Sequence, residues 1–173
     1  MLASSTAGTA GPFTLRDDVI KFPDGPEARY TVLVNPGSAF IVPYFDNGDT
    51  MLVRQWRHAW DASSWEVPAG TFNGDEDPLD CAKRELAEET GLVAAEYSSL
   101  GIVHGAAFLT GCAHMFLAQS LTQSERSPEA YEQDMEVLRV PFAEALEAAL
   151  NGTIVHSGSV TALCRAARTL KIL

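Results

Sequence analysis

The side chains best suited to chemistry lie in one short stretch. Glu85, Glu88 and Glu89 stand at i, i+3 and i+4, a spacing that puts three carboxylates on one face of a helix. Like charges so close destabilise the helix, and each raises the others' proton affinity. A merely solvated face would alternate its signs. Here Lys83 and Arg84 precede the cluster, and Arg84 lies one turn from Glu88, within pairing reach. The remaining negative charge asks for a cation, and hard oxygen ligands in this number suit Mg²⁺ or Mn²⁺. Such an ion keeps several waters and completes its shell with carboxylates and substrate phosphates. Glu76, one loop upstream, is placed to fold back on the same site.

The elements that must present these groups are legible around them. Ser64–Val67 reads as a short strand running into Pro68-Ala69-Gly70. Asp77 is placed to cap a helix that starts at Pro78. Leu79, Ala82 and Leu86 form its apolar stripe, and Gly91 suits its C-terminal cap. This strand–loop–helix unit sets a carboxylate-bearing helix at the end of a strand. Upstream, Tyr30–Val34, Ala39–Phe45 and Thr50–Trp56 read as strands, and the break at Asp46-Asn47-Gly48-Asp49 as a hairpin turn. Downstream, Leu100–Phe108, Ala113–Ala118 and Met135–Val140 read as strands, and Gln119–Gln133 as a mobile acidic loop. Phe142–Leu150 and Ser159–Leu170 have helical patterning. The sum is an α/β or α+β fold: a mixed sheet of about six or seven strands flanked by three helices.

The whole sequence narrows the function classes. Its 173 residues are 46% hydrophobic, which fits one globular domain, read over residues 13–173 behind a flexible tail of residues 1–12. No apolar run approaches the roughly 20 residues of a membrane helix. The net charge of −11 repels nucleic acid and anionic membranes, so neither is expected as a partner. Cys81, Cys112 and Cys164 are widely spaced with no CxxC pair, which argues against a zinc site or a disulfide framework. The start lacks the basic and apolar segments of a signal peptide, so the expectation is a cytoplasmic protein. His58, His104, His114 and His156 show no metal-ligand spacing and read as structural or surface residues. His104 alone falls near the expected substrate loop.

Residues 70–92 resemble the catalytic box of the Nudix hydrolase family, G-x5-E-x7-R-E-U-x-E-E-x-G-U with U aliphatic. Every fixed position matches: Gly70, Glu76, Arg84, Glu85, Leu86, Glu88, Glu89, Gly91 and Leu92. Chance would give on the order of one such match in 10⁸ starting points, which sets aside a merely acidic surface helix. Val53-Arg54-Gln55-Trp56-Arg57 and Trp65-Glu66-Val67-Pro68-Ala69-Gly70 are similar to the VxQYR…ELPAG pattern of family members that split ADP-ribose and other nucleoside diphosphate sugars. Phe22-Pro23-Asp24-Gly25 and the tail from Val140 to Ile154 resemble the same subgroup. The stretch His104–Gly111 departs from it, with no proline and no acidic residue.

The resemblance implies an α/β/α sandwich and metal-dependent hydrolysis of a nucleoside diphosphate derivative, with ADP-ribose or a nucleotide sugar as substrate. It implies Glu85 and Glu89 as the main Mg²⁺ (or Mn²⁺) ligands, Glu88 as a further ligand, and a backbone carbonyl of Ala69 or Gly70 as another. Arg84 would hold the glutamates by ion pairing. Arg57 and Arg54 would contact substrate phosphate, since arginine grips phosphate with two donors. Glu66 would also take a site role, and Trp56 would stack on a base. Glu132 is the first choice for the general base and Asp134 the second. A homodimer is implied, with the N-terminal strands exchanged as one arrangement. The alternatives are a triphosphate or dinucleotide pyrophosphohydrolase, and a non-catalytic module that binds ADP-ribose.

Overall fold

The helix that carries the glutamates forms where its capping signals lie. In the computed structural model, which describes residues 1–127 and 134–173, helix α1 spans Pro78–Thr90. The Asp77 carboxylate accepts the Leu79 N–H at 2.8 Å, satisfying an otherwise orphaned donor. Gly91 closes the helix with φ of 68°, its N–H bonded to the Ala87 carbonyl. A left-handed residue at that place costs glycine nothing. Cys81, Ala82 and Leu86 are fully buried, and they fix which way the helix faces.

That face packs on a four-stranded sheet, ordered β7 (Ala69–Thr71), β4 (Ser38–Pro43), β9 (Cys112–Gln123), β8 (Leu92–His104). The β4–β9 pair is parallel and the others antiparallel, so the sheet is mixed. Both faces are covered, because successive side chains alternate. Ala39 and Ile41 of β4, with Phe116 and Ala118 of β9, meet Cys81, Ala82 and Leu86 of α1. Phe40 and Val42, with Met115 and Leu117, turn the other way. They pack with the buried faces of α2 (Phe142–Leu150) and α3 (Ser157–Thr169). Helix, sheet and helix make an α/β/α sandwich. Burying each of these large aliphatic side chains contributes about 1.5–3 kcal/mol.

A second, antiparallel sheet is ordered β10 (Glu136–Pro141), β5 (Asp49–Arg57), β6 (Ala62–Glu66). A 3₁₀ turn at His58–Trp60 joins β5 to β6. Their register sets Val53 opposite Glu66 and Arg54 opposite Trp65. A third sheet joins β1 (Ala3–Ala10), β2 (Phe13–Lys21) and β3 (Glu27–Val34).

The three expected helices are present, and the mixed sheet is too. Among the described residues there are ten strands, more than the six or seven expected. The expected tail of residues 1–12 contains strand β1, exposed along its length and paired with β2 from Ala3–Val19 to Ala10–Phe13. The strand expected at Leu100–Phe108 instead runs Leu92–His104, and a bulge near Gly101 absorbs its irregular register. The expected loop at Gln119–Gln133 begins later, because β9 continues to Gln123.

Candidate active site

Arg84 is the hub of the glutamate cluster. Its Nε donates to Glu76 Oε1 and its Nη2 to Glu76 Oε2, both at 2.9 Å. Its Nη1 reaches Glu85 Oε1 at 2.6 Å and Glu88 Oε2 at 3.0 Å. The Arg84–Glu88 pair and the return of Glu76 are both as the spacing implied. Hydrogen bonds from Arg84 hold the Glu76 carboxyl down at about 2, against a smaller opposing effect of burial. The same partners push the Arg84 guanidinium up, so it stays charged throughout. One guanidinium thus ties together carboxylates that would otherwise repel one another.

The remaining contacts bind the cluster to the strand end. Glu89 is fully buried, and its Oε2 accepts the Ala69 N–H at 2.9 Å. Glu85 lies against Gly70 so closely that a Cβ there would sit 1.8 Å from Glu85 Oε1. Any side chain at 70 would therefore displace this carboxylate from its present place. Cys81 lies beneath, its Sγ 3.8 Å from the Gly70 carbonyl oxygen. Burial and the nearby charges of Glu85 and Glu76 push this thiol up to about 12, so it is an inert packing group.

Three carboxylates meet one guanidinium here and Glu89 lies beside them, a donor set of hard oxygens with net negative charge that fits a divalent cation. Among the described residues no three His, Cys, Asp or Glu side chains are already gathered round a single point that could hold a metal. In this arrangement Arg84 takes up Glu85 and Glu88.

Beside Gly70 opens a cleft of about 440 Å³, lined by Ala69, Gly70, Trp56, Arg57, Trp60 and His156 among others. Its size is that of a small-molecule site. Trp56 is 56% and Trp60 48% exposed, which leaves two large aromatic faces at the surface of the cleft region. Arg57 is held by Glu66: Nε donates to Oε1 at 2.8 Å and Nη2 to Oε2 at 2.5 Å. Glu66 is wholly enclosed and also meets His156 Nδ1 at 2.6 Å. Burial alone would raise its pKa, but the hydrogen bonds from Arg57 and His156 outweigh that and bring it to about 2. Glu66 therefore sits behind the cleft wall and orients Arg57, and it is not among the residues lining the cleft.

Trp56 and Arg57 also line a second hollow of about 490 Å³, with Arg54, Asp134 and Glu136. Arg54 pairs with Glu136 at 2.8 Å and lies 6.0 Å from the Trp65 ring centroid. It stands apart from the Gly70 cleft. Asp134 is exposed. Glu132 lies outside the described residues. His104 borders a third hollow of about 320 Å³, which shares Ser38, Phe40 and His156 with the first. Sequence reasoning passes over His58 and His156 as surface or structural residues, yet both line the Gly70 cleft. His156 is 90 residues from Glu66, and no local spacing signals their contact.

The family model described as NUDIX domain matches residues 35–158. An ADP-ribose pyrophosphatase of Mycobacterium tuberculosis is 36% identical over 160 residues, covering 90% of this chain and 77% of that protein. An ADP-ribose pyrophosphatase of Bacillus subtilis is 29% identical over 130 residues, covering 74% of this chain and 70% of that one. A crystal structure of an ADP compounds hydrolase superposes with a TM-score of 0.87 at 22% identity, over 98% of this chain and 92% of the other. The chain belongs to the Nudix family, and its fold is the sandwich of that family.

Proposed function

We propose that this protein hydrolyses the pyrophosphate bond of a nucleoside diphosphate derivative, ADP-ribose or a nucleotide sugar, to a nucleoside monophosphate and a phosphorylated sugar. The observation that carries this reading is the placement of Gly70. It touches the Glu85 carboxylate on one side and lines the aromatic and arginine cleft on the other. A diphosphate bound in that cleft would have its phosphorus beside the glutamate helix. The similarity to two ADP-ribose pyrophosphatases supports the choice of substrate.

Glu85 and Glu89, with Glu88 and the carbonyl of Ala69 or Gly70, would hold Mg²⁺ or Mn²⁺. When bound, the ion neutralises phosphate oxygens and lowers the pKa of a coordinated water. Arg84 keeps the carboxylates assembled, and the Ala69 N–H fixes Glu89. Arg57, oriented by buried Glu66, is the cation offered to the phosphate, and Trp56 is a platform for the base. Arg54 takes a lesser part, from the neighbouring hollow. Asp134 is the general-base candidate among the described residues, and Glu132 the other candidate by sequence. Most of the catalysis is then positioning and charge stabilisation. The protein acts in the cytoplasm as a homodimer. Among the described residues no helix is long and apolar enough to cross a membrane.

The test is a substrate panel assayed with Mg²⁺ and with EDTA: ADP-ribose, a UDP-sugar, a GDP-sugar, NADH, diadenosine polyphosphate and dGTP. Metal-dependent release of AMP from ADP-ribose, or of UMP or GMP from a nucleotide sugar, is expected. Turnover of dGTP alone would contradict the proposed substrate class.

A further inference from the structure

His156 is built into the cleft in a way that leaves one ring nitrogen for a ligand. The imidazole stands at the start of α3, 5.3 Å from the Phe40 ring and 5.7 Å from the Trp60 ring, centroid to centroid. Its Nδ1 lies 2.6 Å from Glu66 Oε2 and 3.1 Å from Ser159 Oγ. Ser159 is itself fully buried and accepts the Val67 N–H. The Glu66 carboxylate is ionised, with a pKa of about 2, and can only accept hydrogen bonds. His156 Nδ1 faces these two groups, so in the neutral imidazole the proton belongs on Nδ1. Nε2 is then an acceptor, and among the described residues no hydrogen-bond partner reaches it. Ring and rotamer are locked by a buried carboxylate, a buried hydroxyl and two aromatic neighbours, while the residue lines the cleft that Trp56, Trp60 and Gly70 also line.

We infer that His156 is a specificity-determining residue of this cleft, its Nε2 accepting a hydrogen bond from an N–H or O–H donor on the nucleoside half of the substrate. The exposed Trp56 and Trp60 rings suit a flat base, which puts the nucleoside near the imidazole. The donor is the exocyclic amine of the base or a ribose hydroxyl. A site that hydrogen-bonds such a group rejects analogues lacking it, because its own polar atom is left unmatched. This inference rests on the reading of the cleft as a nucleotide site.

The experiment uses AMP as the probe and the full chain. Affinities for AMP, IMP, 2′-deoxy-AMP and 3′-deoxy-AMP are measured by calorimetry for wild type, His156→Asn and His156→Phe, with thermal unfolding as a check on the fold. Asparagine can place an amide near the Nδ1 position and keep the Glu66 contact, but it does not reach the place of Nε2. Phenylalanine keeps the ring and removes both nitrogens. Both variants are expected to weaken AMP binding about fivefold to tenfold. They should bind one of the three analogues as well as wild type does, which names the donor. Wild-type AMP affinity in His156→Asn would show that only the Glu66 contact matters, and would overturn the inference while leaving the nucleotide site intact. An equal loss of affinity in both variants for AMP and for all three analogues would overturn it in the same way. No binding of AMP to wild type would overturn the site reading along with it.

Discussion

At the scale of single residues, charge is organised by two arginine–carboxylate knots with different jobs. Arg84 gathers Glu76, Glu85 and Glu88, and Arg57 is pinned by Glu66. The second knot has a measurable signature in acid. Glu66 has a folded pKa of about 2 against an ordinary 4.5. Its depressed value means that its contribution to stability is present above about pH 4.5 and is lost as pH falls towards 2. The shift corresponds to about 3 kcal/mol at most. Glu66→Gln should therefore be less stable than wild type at pH 7, and the gap should shrink from about pH 4.5 and close near pH 2. Urea midpoints across that range check this. A gap that stayed constant with pH would show that Glu66 is not held ionised by its partners. The Arg84 knot is legible in sequence because its members lie within one loop and one helix. The Arg57–Glu66–His156 knot is only half legible. Its first two members lie on neighbouring strands, Arg57 opposite Ala62 and Glu66 opposite Val53, and the long arginine side chain spans the offset, but His156 reaches them only through the packing of α3.

At the scale of elements, the unit from β7 through α1 is the proposed seat of the chemistry, and its tightest point is Gly70. Gly70→Ala would drive a methyl into the Glu85 carboxylate, so the side chain or the strand end must shift. The expected result is a loss of turnover of at least about 100-fold with the far-UV spectrum retained. Turnover within threefold of wild type would mean that the Glu85 carboxylate is not needed where it now lies. Helix α1 is readable from Asp77, Pro78 and Gly91 because caps are local signals. The N-terminal hairpin is not. Strand β1, ASSTAGTA, is small, polar and exposed, with no alternation to mark it, and it is a strand because β2 offers a partner. Strand β2 hides its pattern behind Asp17 and Asp18. Those charges are met by Arg29 from β3 and by Arg16 and Ser4, partners that only the pairing supplies. Strand β8 differs from its expected span at both ends: it starts directly after the Gly91 cap, and beyond His104 the chain turns to bond Leu33 of β3 instead.

At the scale of the molecule, the three-stranded N-terminal sheet is the part least tied to the sandwich. Strand β1 lies at its edge, and an exposed edge invites pairing with another chain. If the N-terminal strands help to form the proposed homodimer, removing residues 1–10 should shift the protein towards monomer. The same deletion should move the melting temperature of the sandwich by no more than about 3 °C. Sedimentation and a thermal scan read both. A dimer of unchanged affinity would place the contact elsewhere, and a collapse in melting temperature would show that β1 is integral to the fold. The charge of −11 does not select among small substrates, and the sequence alone does not distinguish ADP-ribose from a nucleotide sugar. Under the proposed function they are told apart in the cleft, whose walls come from β4, β5, β7, the 3₁₀ turn and the residue that caps α3.

The central claim is that the carboxylates on α1 carry out metal-dependent hydrolysis of a diphosphate. Its most direct test is the turnover of ADP-ribose by wild type, Glu85→Gln and Glu89→Gln at saturating Mg²⁺, with thermal unfolding measured on the same samples. Glutamine keeps the size and the acceptor oxygen but removes the charge. The account predicts that both variants unfold within a few degrees of wild type and lose about 100-fold to 1,000-fold or more in kcat, and that EDTA abolishes wild-type turnover. Activity near wild type in both variants would contradict it.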